Sequence, residues 1–229
     1  MCRRCRIIYP PTLSIQSPTP TQQTKHITTA DSCVVIAWQI KMEKEEPMLL
    51  SVVWPACGSR KLVCTRDAAD RALQIVDTLA TETERKRMEL ILNVGDEVSG
   101  LSREQRLQGF QKLSKHHVPS DWCLPIEIID VDVAKIKTEL LSPAVDRVSH
   151  ILTGVNISVF LYGWASGHTT MTSNRAVSLS IERTIEENRV GEEMGPAVWI
   201  IPQSRSLVGK EKQRRGAVPE DAESSDHSD

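Results

Sequence analysis

Residues 176–204, AVSLSIERTIEENRVGEEMGPAVWIIPQS, decide how the carboxy-terminal third is read. Val177, Leu179 and Ile181 alternate with polar neighbours, the period-two pattern of a half-buried strand. A charged turn over 186–193 follows, and then a short apolar run over 197–201 with Trp199 at its centre. Strand, turn and strand predict mostly β packing here, with Trp199 as a core or interface anchor. The stretch holds no set of residues that would carry out a reaction.

Working back from it, residues 157–161 (ISVFL) alternate in the same way and predict another strand, with 163–173 as the loop between the two. Residues 126–133 read as a strand whose Glu127, Asp130 and Asp132 form the wet face of a sheet edge. The clearest helix begins at Thr65, a good N-cap with Asp67 in the first turn. Ala69, Ala72, Leu73, Val76, Leu79 and Ala80 then recur at helical spacing. Residues 82–87 read as the solvated end of that helix or a turn, and 88–94 as a buried segment that fits helix or strand. Residues 102–115 carry Leu107, Phe110 and Leu113 on one face of a second helix. A third, short helix follows Pro143, with Val145, Val148 and Ile151 turned inward. The apolar runs 33–40 and 48–54 predict a hairpin.

The whole chain has 229 residues, 40% of them hydrophobic, enough for one sizeable core. The predicted fold is α+β: a single compact domain over 32–204, with a mixed or antiparallel sheet packed on two or three helices and flexible tails. Residues 1–31 read as a disordered or extended arm, because Pro10, Pro11, Pro18 and Pro20 fix φ and remove donors in a polar segment. Residues 205–229 read as a second tail.

Charge sums to −2 but is unevenly placed. Arg3, Arg4 and Arg6 make the amino terminus basic, and Lys210, Lys212, Arg214 and Arg215 form a second basic cluster beside an acidic end over 220–229. Both clusters are candidate contacts for membrane headgroups or nucleic-acid phosphates. Six cysteines follow no framework spacing, so reduced thiols in a cytosolic or nuclear setting are the expectation. Cys2 and Cys5 make a lone CxxC, short of the four ligands a structural zinc needs, and no metal or other cofactor is expected. His116–His117 lack a nucleophile-elbow context and read as a solvated helix end. Gly163, Ser166, Gly167 and His168 match neither GxxxxGK[ST] nor GxGxxG, so no phosphate loop is expected. The five tryptophans are spread over separate elements. No run approaches the roughly 20 apolar residues of a membrane span, and the basic start runs into prolines rather than a signal-peptide core.

The order of these features resembles the matrix proteins of rhabdoviruses: a Pro-rich arm, an apolar strand at 33–42, an apolar-faced helix, an alternating strand at 176–185, a Trp-centred strand at 195–201 and a charged tail. The resemblance implies a non-enzymatic structural protein without cofactor. Such a protein would self-associate and bridge a viral nucleoprotein complex to peripheral membrane lipids, in the virion, the host cytoplasm or the nucleus. It also implies a host-adaptor motif in the arm. Tyr9, Pro10, Pro11 and Thr12 read YPPT, close to but different from the PPxY form. Residues 163–183, with Asn174, Leu179, Ser180 and Arg183, also resemble the core of an OmpA-like peptidoglycan-binding domain, although the acidic residue that family places after its first glycine is missing. That second resemblance implies a binding module instead.

Overall fold

A computed structural model describes residues 53–188 and 194–201, together with the backbone of residues 7–8 and 28–30. Helices and one sheet make an α+β fold. The strands are β1 (Ile7–Ile8), β2 (Thr28–Ala30), β3 (Leu62–Thr65), β4 (Glu127–Ile129), β5 (Thr169–Thr172) and β6 (Val198–Ile200). The helices are α1 (Trp54–Cys57), α2 (Arg66–Leu79), α3 (Glu82–Leu92), α4 (Arg103–Leu113), α5 (Val133–Leu140), α6 (Pro143–Ile151), α7 (Val155–Ser166) and α8 (Arg175–Asn188).

The sheet runs β1-β6-β5-β2-β3-β4, and every pairing is parallel. This corrects the expected mixed or antiparallel sheet. Antiparallel neighbours are joined by short hairpins, whereas parallel ones need crossovers. Here α2, α3 and α4 separate β3 from β4, α5 to α7 separate β4 from β5, and α8 separates β5 from β6. The strand β2 sits inside the sheet, with Ala30 opposite Cys64 on one side and Met171 on the other. The expected boundary at residue 31 therefore cuts immediately after a central strand, so Thr28–Ala30 belong to the domain rather than to an arm.

Two expected strands are helices. Residues 157–161 lie within α7, whose run from Val155 is apolar nearly all round, the composition of a helix buried on several sides. Gly154 (φ 53°) and Gly167 (φ 67°) bracket it in backbone conformations that glycine adopts without strain. Residues 177–185 lie within α8, where Ile181 and Ile185 are buried and Leu179 is 40% exposed. Positions 177, 181 and 185 fit a helical stripe as well as 177, 179 and 181 fit a strand. The i,i+4 pair from Arg183 Nε to Glu187 Oε1, 2.8 Å, belongs to the helical solution. Residues 82–92, expected as the solvated end of the preceding helix or a turn and then a buried segment that fits helix or strand, form the single helix α3, started by a capping box between Thr81 and Glu84.

Other expectations hold. Thr65 caps α2, accepting from the Ala68 N–H at 3.4 Å, and α4 and α6 lie where the periodicity puts them. Ile151 is an exception, being 43% exposed at the end of α6. The predicted loop at 163–173 instead contains the end of α7 and the strand β5. Within the expected 33–54 hairpin, residues 33–52 lie outside the described residues, while Trp54 opens α1.

Paired positions of parallel strands share a face, so Cys64, Met171, Trp199 and Ile128 point one way. Cys64 and Met171 enter a core with Trp54, Cys57, Phe110 and Trp122, against which Ile128 and Trp199 pack as half-buried neighbours. Val198 and Ile200 enter the other core, with Phe160, Leu161, Ile181, Ile185, Val145 and Val148. The tryptophans are less dispersed than their spacing suggests. Trp122 meets Phe110 edge-on at 5.2 Å and Trp54 at 6.2 Å, contacts of about 0.5–1.5 kcal/mol each beyond burial.

Candidate site at the carboxyl edge of the sheet

The order of the strands turns at β2: the chain goes on to β3 and β4 on one side, then crosses to β5 and β6 on the other. Where a parallel sheet turns in this way, the loops leaving the carboxyl ends of the two flanking strands diverge and leave a crevice between them. The two strands at the turn are β2 and β5; the loop after β2 lies outside the described residues, and the described loops along this edge are the one after β5 and the one after β3, the next strand.

β3 runs directly into α2, and Thr65 is both its last residue and the helix cap. Thr65 Oγ1 lies 3.2 Å from Ser158 Oγ, and both residues are fully buried. Ser158 donates to the Val155 carbonyl at 3.1 Å, which leaves Thr65 as the donor within the pair. This hydroxyl chain ties the start of α7 to the carboxyl end of β3. Next along the edge, Arg66 Nε donates to Asp130 Oδ1 at 3.1 Å. That hydrogen bond, and then the Asp130 charge, raise the Arg66 pKa. Both side chains are exposed, so the pair holds them in place without adding much stability. Asp132 Oδ1 accepts from the Lys135 N–H at 3.0 Å and caps α5.

On the far side of β2, Thr172 Oγ1 accepts from the Asn174 N–H at 3.0 Å. Asn174 Oδ1 then accepts from the Val177 N–H at 3.2 Å, closing the first turn of α8. Arg175 follows, exposed. The edge thus presents Arg66, Asp130 and Asp132 on one flank and Asn174 and Arg175 on the other. Such an array offers hydrogen-bonding groups and charges of both signs along one edge. The Thr65 and Ser158 hydroxyls are spent on each other and on backbone, so they do not form a nucleophile–base pair.

At the amino edge, Lys61 Nζ pairs with Glu127 Oε2, and the Tyr162 ring meets His168 edge-on at 5.5 Å. Burial first, and then the Glu127 charge, raise the Tyr162 pKa. Glu127, Asp130 and Asp132 are therefore not one carboxylate face: the first pairs at the amino end of β4, the second pairs with Arg66, and the third is a helix cap. β4 is an edge strand, as the sequence predicts.

Of the sequence-predicted contacts, Arg3, Arg4, Arg6, Tyr9, Pro10, Pro11, Thr12, Lys210, Lys212, Arg214 and Arg215 lie outside the described residues, as do Cys2 and Cys5. Trp199 is half-buried in β6, opposite Met171 and Ile8. The residues of the OmpA-like reading are dispersed: Gly163 is buried against Thr170, and Arg183 stands exposed on α8 bonded to Glu187. Among the described residues no three His, Cys, Asp or Glu side chains converge as a metal set. Cys57 and Cys64 are buried thiols, and burial pushes Cys57 up to about 12. No described helix is long and apolar enough to cross a membrane.

The cap at Asn174 went unread although its signal is present: Ser173–Asn174 immediately precedes the apolar stripe at 177, 181 and 185. The Thr65–Ser158 pair spans 93 positions and leaves no local signal. The chain matches no protein-family model, no curated protein and no solved structure.

Proposed function

We propose that the chain is a binding protein for a small polar ligand, seated at the carboxyl edge of its sheet between the loops after β3 and β5. The observation that carries this reading is the turn in strand order between β2 and β5, which opens the edge beside the loop after β5. Arg66 and Asp130 on one flank, with Asn174 and Arg175 on the other, supply the polar contacts. The test is a thermal-shift screen of the full chain against nucleotides, dinucleotides and small carboxylates. A ligand that raises the midpoint should bind roughly tenfold more weakly to Arg66→Ala or Arg175→Ala, the scale of one lost charged hydrogen bond. Lys61→Ala, at the opposite edge, should bind it unchanged. Equal weakening by all three variants, or by Lys61→Ala alone, would overturn the placement.

A second reading keeps the matrix-like expectation of a self-associating, non-enzymatic structural protein. It is favoured by two large apolar side chains left in solvent, Leu141 at 85% and Met194 at 71% exposure. Sedimentation at rising concentration tests it. Self-association that Leu141→Ser or Met194→Ser reduces would support it, and a monomer throughout would end it.

A further inference from the structure

We draw no further inference here: the strongest candidate, the cluster of Lys61, Glu127, Tyr162 and His168 at the amino edge of the sheet, consists of side chains already engaged with one another, and nothing in the structure shows what would bind there.

Discussion

Gly163 of α7 lies so close to Thr170 of β5 that a Cβ built on it would fall well under 3.0 Å from the Thr170 hydroxyl oxygen. The Thr170 side chain packs directly on the helix backbone at this point, and a residue without a Cβ leaves room for it. Thr170 is fully buried, and its hydroxyl has no hydrogen-bond partner among the described residues.

Gly163→Ala should therefore destabilise the fold by about 1–3 kcal/mol, the usual cost of overpacking. Thr170→Ala should recover part of that loss in the double variant, because it removes the opposing atom. Thr170→Val alone should be neutral or stabilising, since it replaces with a methyl group a buried hydroxyl that has no partner among the described residues. Denaturant midpoints of the parent, the two single alanine variants and the double variant complete the cycle. Additive effects of Gly163→Ala and Thr170→Ala would mean that the two residues do not meet.

Deleting the amino-terminal segment separates a central strand from an edge strand. A chain lacking residues 1–8 loses β1, which among the described residues pairs only with β6, and should still unfold cooperatively. A chain lacking residues 1–31 also loses β2 from between β3 and β5 and should show no cooperative transition by circular dichroism. An unchanged melting midpoint for the shorter chain would remove β2 from the sheet.

Glu89 gives a pH-dependent prediction. Burial first, then the charges of Glu97 and Glu82, raise its pKa above the ordinary glutamate value. For an acid raised in the folded state, the favourable contribution is fully present below the unfolded pKa and is lost as pH rises through the folded one. Glu89→Gln should therefore stabilise the protein at pH 7, and the gain should vanish below about pH 4. Stability curves of the two proteins from pH 3 to 8 check this, and a constant difference across the range would contradict it.

How much of this could be read from the sequence depended on the local strength of each signal. Thr65 and the alanine-rich stripe after it specify α2 unambiguously, because cap, acidic first turn and periodicity agree. Residues 177–185 fit both periods, and only the tertiary burial of Ile181 and Ile185 decides between them. The run 155–164 is apolar at almost every position, so it carries no period at all. β3 is buried on both faces and β5 reads Thr-Thr-Met-Thr, so neither shows the alternation that marks a half-exposed strand. β2 has three residues, and its place depends on partners far along the chain. The candidate site shares that difficulty: Arg66, Asp130 and Asn174 come from three separate segments and share the carboxyl edge only through the parallel register.

The placement of the ligand is tested most directly by amide chemical shifts of the full chain, titrated with the compound that gives the largest thermal shift. The largest perturbations are expected at Thr65–Arg66, at Asp130–Asp132 and at Thr172–Arg175, with Lys61, Glu127 and His168 unmoved. Perturbations concentrated on those last three residues, or spread evenly over both edges of the sheet, would contradict it.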